Sequence, residues 1–182
     1  VGNVPAASLG PTPAVLVASG ASLRVDEPIL GSSGLSKTGA GALTVAADHG
    51  YTGNTTISAG TVTVGAGGTT GSLGGNISVG GTLVFNRSNT LLVSGNLSSA
   101  GALVQAGSGT TVLNGANSGY SGAIYFVNDK DQQVYALVPG QQPQRLTDAP
   151  GTRFADFAHD AARDRLVAVA ETHERAQGGA HS

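Results

Sequence analysis

The residues of this 182-residue chain that could do chemistry are few, and their spacing suits none of the common reactions. A serine nucleophile on a strand–turn–helix elbow needs Gly-x-Ser-x-Gly, because only small residues let the chain turn sharply enough to expose the hydroxyl. The nearest string, Gly75-Asn76-Ile77-Ser78-Val79-Gly80-Gly81, has one residue too many before the serine and reads as a turn between short strands. Asp129 and Asp131 could open a cation site, but no further oxygen ligands follow at calcium-loop spacing, so a solvated hairpin turn is expected. His49, His159, His173 and His181 are dispersed, and with no cysteine and no His-x-x-x-His pair a zinc site is not expected. Gly65-Ala66-Gly67-Gly68 lacks the Lys-Ser/Thr that completes a phosphate loop. Asn54, Asn76, Asn86 and Asn96 each begin Asn-x-Ser/Thr, and are read as surface turns or side-chain ladders rather than glycan acceptors. The reading is therefore no catalytic residue, no metal, no cofactor and no enzyme.

Composition divides the chain. Val1 to Gly122 holds 25 of the 29 glycines but only six charged residues, Arg24, Asp26, Glu27, Lys37, Asp48 and Arg87. The last 60 residues hold the other 14 charges and four glycines, which argues for two regions with different folding rules. A net charge of −2 with scattered basic residues gives no footprint for nucleic acid. With no cysteine, disulfides and thiolate sites are excluded. The absence of methionine is read as a mature or excised piece. Val1 to Gly20 has no basic stretch before its apolar run, so no signal peptide is expected there. No run approaches the roughly 20 apolar residues of a membrane-spanning helix, and membrane insertion by this segment is not expected.

The elements that would position any site are very short strands. Ala14–Val17, Ser22–Val25, Ala42–Val45, Thr55–Ser58, Thr61–Val64, Asn76–Val79, Thr82–Phe85, Thr90–Val93 and Thr110–Leu113 each alternate Val, Ile, Leu or Thr with a period near two. Gly, Asn or Ser bounds each of them and turns the chain. No helical stripe persists. Phe85 is the only phenylalanine before Gly122, so a sandwich core of large side chains is not available. Narrow stacked layers of small aliphatic residues suit a parallel β-helix, in which each coil contacts only its neighbours. At about 20 residues per coil, residues 13–122 would make five or six coils. Inward positions are predicted at Val15, Val25, Leu43, Val45, Ile57, Val62, Val64, Ile77, Leu83, Phe85, Leu91, Val93, Leu103 and Val112.

A repeat runs through this region. Leu35, Lys37, Gly39, Gly41 and Leu43 are followed by Tyr51 and Gly53, then Thr55, Thr56 and Ile57, then Gly60. The pattern returns at Leu103, with Gly107, Gly109, Tyr120 and Gly122, and then breaks off. Gly81-Thr82-Leu83-Val84-Phe85 with Gly95-Asn96-Leu97 and Gly101-Ala102-Leu103 carries a further copy. These strings resemble the passenger-associated transport repeat of bacterial autotransporters over about residues 13–122. The resemblance implies a right-handed parallel β-helix, exported to the cell surface, whose repeat aids passage through or folding outside the outer membrane. The translocator β-barrel of that family is missing from this chain, so another polypeptide segment is expected to supply it.

From Ile124 the residues change character. Ile124-Tyr125-Phe126-Val127, a polar Asn128–Asp131 turn, Gln133–Leu137, a Pro139-Gly140 turn and later Arg153–Phe157 and Arg165–Glu171 predict antiparallel hairpins. Over about residues 124–173, Ile124-Tyr125-Phe126, Asp131-Gln132-Gln133-Val134-Tyr135, Arg145-Leu146-Thr147, Arg153-Phe154-Ala155-Asp156 and Arg163–Val169 with Glu171-Thr172-His173 resemble one propeller blade of prolyl-oligopeptidase-type serine peptidases. That family's propeller gates a separate hydrolase domain and is often cytoplasmic. The expected organisation is an N-terminal extension (1–12), a parallel β-helix (13–122), an antiparallel propeller-like blade (123–173) and a disordered tail (174–182).

Three functions remain open at this point. One is a non-catalytic stalk or scaffold of a secreted or surface passenger. Another is an adhesin-type module that contacts a host-surface protein or glycan. The third is an inactive propeller-containing fragment, whether by natural fusion, engineered chimera or mis-joined gene. Limited proteolysis is expected to remove the last 60 residues and leave a resistant fragment ending near Gly122.

Overall fold

The computed structural model describes residues 13–128, 130–148, 152–160 and 165–172, the last two spans as backbone. Every regular element in them is a strand. Gly, Asn and Ser between β-branched runs leave no stretch long enough to nucleate a helix. Among the described residues no helix is long and apolar enough to cross a membrane.

The strands succeed one another as coils. The first coil holds β1 (Ala14–Leu16), β2 (Ser22–Val25) and β3 (Leu30–Gly31), and the second holds β4 (Leu35–Thr38), β5 (Ala42–Val45) and β6 (Gly50–Tyr51). The third has only β7 (Thr55–Ile57) and β8 (Thr61–Val64). The fourth holds β9 (Ile77–Val79), β10 (Thr82–Phe85) and β11 (Leu91–Val93), and the fifth β12 (Leu97–Ser99), β13 (Ala102–Gln105) and β14 (Thr111–Leu113). The sixth begins with β15 (Gly119–Tyr120) and β16 (Ile124–Val127). One wall is the six-stranded parallel sheet β1-β4-β7-β9-β12-β15. The second wall is the parallel run β2-β5-β8-β10-β13-β16. The third is formed by β3-β6 and β11-β14, with a gap at the third coil. Register repeats every coil: Ile77 lies opposite Leu97, Thr82 opposite Ala102 and Leu91 opposite Thr111. The chain is an all-β parallel solenoid of about six turns.

Side chains at alternate positions fill the interior as continuous rows. Leu23, Leu43, Val62, Leu83, Leu103 and Ile124 form one row through successive strand pairs, and Val25, Val45, Val64 and Phe85 form the next. Thirteen of the fourteen predicted inward residues belong to one cluster: Leu43, Val45, Ile57, Val62, Val64, Ile77, Leu83, Phe85, Leu91, Val93 and Leu103 are buried in it, and half-buried Val15 and Val25 pack on its rim. Each fully buried aliphatic side chain contributes about 1.5–3 kcal/mol. Val112 is the exception: it is 40% exposed. Its strand pairs Leu92 with Val112, and Leu92 also faces outward, so Leu113 packs on the core instead. An unbroken Thr-Val-Leu run does not reveal which face is inward; the partner strand decides it.

The change to antiparallel pairing comes later than the sequence break suggests. Strand β16 is parallel to β13, with Leu103 opposite Ile124 and Val104 opposite Tyr125. On its other edge β16 is antiparallel to β17 (Val134–Leu137), which pairs in turn with β18 (Gln144–Arg145). The change therefore falls after β16, not at the 122/123 boundary expected from the sequence. Strands β19 (Thr152–Asp160) and β20 (Arg165–Thr172) form a separate antiparallel pair with an irregularity between Phe154 and Asp156. The expected extension 1–12 and tail 174–182 lie outside the described residues.

Candidate functional site

The repeat residues converge on the corners of the solenoid. Leu35 and Lys37 alternate inward on β4, and both are buried. The ammonium of Lys37 cannot reach water, so it donates to three backbone carbonyls at the corner: Thr38 at 2.8 Å, Gly39 at 2.7 Å and Ala59 of the next coil at 3.2 Å. Burial lowers its pKa. These three acceptors use all three ammonium hydrogens. Gly39 and Gly60 sit at successive corners with φ of +77° and +71°, and any Cβ there would press into the backbone of the preceding coil. Gly41, Gly53, Gly107, Gly109 and Gly122 likewise lie against backbone of the coil before them.

The tyrosines hold other corners. Tyr51 Oη and Thr55 Oγ1 are 2.7 Å apart, and Thr55 donates onward to the Gly74 carbonyl at 2.8 Å. Tyr120 donates to the carbonyls of Gly101 (2.7 Å) and Ala123 (3.1 Å). Burial pushes both phenols above their ordinary pKa, so they remain neutral donors. Ile57 and Leu43 are core, and Thr56 faces outward. The repeat thus specifies coil closure: inward aliphatics, a buried cation or phenol at a corner, and glycines where coils touch.

The residues with chemical potential are spent in the same way. Ser78 lies on the outward face of β9, with its Oγ 2.9 Å from Ser99 Oγ of the next coil. It belongs to a row of Ser36, Thr56, Ser78 and Ser98 along one wall. Asn54 accepts from the Asn76 N–H (3.1 Å), Asn76 from the Asn96 N–H (3.0 Å) and Asn96 from the Ala116 N–H (2.7 Å). Three of the four Asn-x-Ser/Thr strings are therefore rungs of one side-chain ladder. Asn86 lies at another corner, where its carbonyl accepts from Gly67.

The glycine-rich segment after β8 replaces a third-wall strand. Arg87, which is buried, donates to the carbonyls of Gly71 (2.6 Å) and Thr69, to Asn89 Oδ1 (2.9 Å) and to Asp48 Oδ1 (3.4 Å). Asp48 Oδ1 also accepts the Gly71 N–H at 2.9 Å. This latch was not legible in the sequence, because apart from Asn89 the partners of Arg87 lie 16 to 39 residues away. Where the strand is missing, a cavity of about 350 Å³ opens between Val64, Leu73, Ile77, Phe85 and Leu91, rimmed by Ser72, Asn76 and Ser94.

His49 Nδ1 accepts the Ile29 N–H at 2.8 Å, and its Nε2 is buried without a partner. Burial lowers its pKa, with Asp48 opposing in part. Asp131 accepts from Tyr135 Oη (2.7 Å) and from the Gln133 N–H (3.2 Å), the arrangement of a hairpin turn. The Tyr135 hydrogen bond, ahead of lesser influences, holds its carboxyl below the usual range. Asp129, His173 and His181 lie outside the described residues, and of His159 only the backbone is placed, in β19. Among the described residues no three His, Cys, Asp or Glu side chains gather as a metal site.

Comparison with known proteins meets this geometry at the corners. Residues 35–64 and 103–125 match the Passenger-associated-transport-repeat family. The matched segments carry the passenger repeat. They take in Lys37, Tyr51 and Thr55 in one copy and Tyr120 in the other, and the second ends inside β16. A stretch of 41 residues is 58% identical to the "Adhesin BmaC autotransporter" of Brucella suis biovar 1 (strain 1330), covering 22% of this chain and 1% of that protein. No solved structure matches the chain. The family match ends at residue 125, and the propeller-like reading of the strings beyond it rests on sequence resemblance alone.

Proposed function

We propose that this chain is a non-catalytic, surface-exposed segment of an autotransporter passenger, a β-helical stalk whose coil-by-coil folding assists export through a translocator barrel. The observation that supports this most is the fate of the polar side chains. Lys37, Thr55, Arg87 and Tyr120 bind backbone at coil corners, and Tyr51 binds the Thr55 hydroxyl beside them, so that they serve closure rather than a ligand. The outward rows are short hydroxyls and amides joined from coil to coil. A solenoid of this kind can fold by adding one coil at a time to the last, since each coil contacts only its neighbours.

An adhesin-type role is the second reading, favoured by the similarity to the Brucella adhesin. The partner would then be a host-surface protein or glycan. The test of the stalk reading places the chain between a signal peptide and a translocator barrel and measures display by surface labelling of intact cells. Leu43→Asp, which puts a charge into the core row, should lower display severalfold. Unchanged display of that variant would reject the export role. Binding of the displayed chain to host cells, lost on replacing Ser36, Thr56 and Ser78 by lysine, would favour the adhesin reading.

A further inference from the structure

We propose that the cavity in the third wall is a binding site for a small, uncharged, apolar molecule. Its origin lies in the third coil. Leu35 and Thr55 are register partners 20 residues apart, as are Ile77 and Leu97, but Thr55 and its partner Ile77 are 22 apart. The longer coil spends its extra length on the glycine-rich stretch after β8, which forms no strand. That stretch is tied to two different neighbours. Its first half is held on the fourth coil: Gly67 donates to the Asn86 carbonyl (2.9 Å), Ser88 donates to the Gly68 carbonyl (2.8 Å), and Arg87 holds Thr69 and Gly71. Its second half lies down on the second coil: Ser72 donates to the Ala47 carbonyl (3.3 Å), the His49 N–H donates to Ser72 Oγ (2.9 Å), and Thr55 Oγ1 donates to the Gly74 carbonyl (2.8 Å). A Cβ at Gly74 would press into the Tyr51 backbone, so this half cannot carry a larger residue there. The chain thus leaves the fourth coil as it crosses to the second, and the space opens between Ser72–Gly75 and β11. Among the described residues β11 pairs only with β14, on its far side.

The lining sets the chemistry of the occupant. Val64, Ile77, Phe85 and Leu91 form the floor and are at most 8% exposed, and half-buried Leu73 closes one side. No charged side chain lines the cavity, so an ionised ligand would lose its hydration there without gaining a partner. The polar side chains Ser72, Asn76 and Ser94 stand at the rim, and two of them are engaged already, Ser72 Oγ by the His49 N–H and Asn76 Oδ1 by the Asn96 N–H. The floor therefore offers water few partners, whereas Phe85 offers a ring an aromatic contact. The volume of about 350 Å³ is more than twice the about 150 Å³ that suffices for a benzene, and falls in the range of small-molecule pockets, about 300–1,000 Å³. Empty, the floor residues forgo dispersion contacts that packed core residues make, and an apolar occupant restores them. Hydrogen bonds fix both halves of the crossing segment, so the site is formed before a ligand arrives. The inference rests on this packing and not on the export role.

The test titrates the purified full chain with phenylnaphthylamine, a neutral aromatic dye whose fluorescence rises in apolar surroundings. One dye per chain should bind saturably and raise the melting temperature, as a ligand of the folded state must. Leu73→Trp puts a larger side chain into the cavity and should abolish both effects. Val112→Ser, on the exposed face outside the cavity, should leave both unchanged, which separates the cavity from the apolar surface beside it. Anilinonaphthalene sulfonate, a dye of similar shape that carries a charge, should bind severalfold more weakly. Nuclear Overhauser contacts from the bound dye to the methyl groups of Leu73, Ile77 and Leu91 in the parent chain give a measure that needs no variant to fold. Absence of saturable binding, full binding by folded Leu73→Trp, or equal binding of the sulfonate would each overturn the proposal. So would dye contacts to Leu92 and Val112 without contacts to Ile77 and Leu91, because they would assign the dye to the outer face of the wall.

Discussion

At the scale of single residues, the buried polar groups decide how well a coil closes. Lys37 illustrates why. It occupies an inward position, yet its ammonium is matched by three carbonyls. Lys37→Met keeps much of the aliphatic stem but leaves buried carbonyls unpaired, and should destabilise the chain by about 1–3 kcal/mol in denaturant melts. Leu43→Ala, in the middle of the core row, should cost about 2–5 kcal/mol. His49 adds a pH dependence. Its neutral Nδ1 accepts the Ile29 N–H between the first and second coils, and burial lowers its folded pKa below the unfolded value of about 6.5. Below that pH the unfolded chain binds the extra proton, so stability is full above about 6.5 and falls as pH drops towards the folded pKa. The melting temperature should decline on acidification from neutral pH, and His49→Gln should flatten the decline; an unchanged pH profile would remove His49 from the account. The inward burial of Lys37 was available from its period-two phase with Leu35, but a charged side chain argues against the interior until its acceptors are seen. The Arg87 latch left no such trace, because its acceptors are mainly backbone carbonyls of a distant segment.

At the scale of elements, the strands and their parallel stacking were legible from alternation and glycine punctuation, whereas facing and termination were not. Alternation about Leu92 predicts Leu91 and Val93 inward, and both are buried while Leu92 is exposed. Val112 was placed inward because its own run is ambiguous, and only the pairing with outward-facing Leu92 corrects it. The end of the solenoid was set at Gly122 from the loss of the repeat. Hydrogen bonding carries the parallel wall through β16, where Ile124 and Tyr125 pair with the fifth coil. Val134 of β17 is buried with Val104 of β13, which fastens the first hairpin to the wall. The proteolytic boundary expected from sequence therefore moves. A protease should leave a resistant fragment that retains β16 and β17 and ends beyond Leu137, as read by mass spectrometry. A fragment ending near Gly122 would show that β16 does not share the stability of the wall.

At the scale of the whole molecule, the solenoid behaves as a one-dimensional stack. Strands of neighbouring coils lie about 4.8 Å apart, so six coils span on the order of 25 Å along the axis. Such a stack has no single core whose loss destroys the fold, and its stability is nearly a sum over coils and their interfaces. A spacer of this kind should depend on coil register rather than on the identity of any one coil. The most direct measurement compares two deletions in the chain displayed through a translocator barrel. Removing residues 77–96 takes out one whole coil and joins Asn76 to Leu97, the register partner of Ile77. Removing residues 77–86 takes out half a coil and puts every later strand on the wrong wall. The stalk account predicts near-parental surface display for the whole-coil deletion and a severalfold loss for the half-coil deletion. Equal display of the two, whether both high or both low, would contradict it.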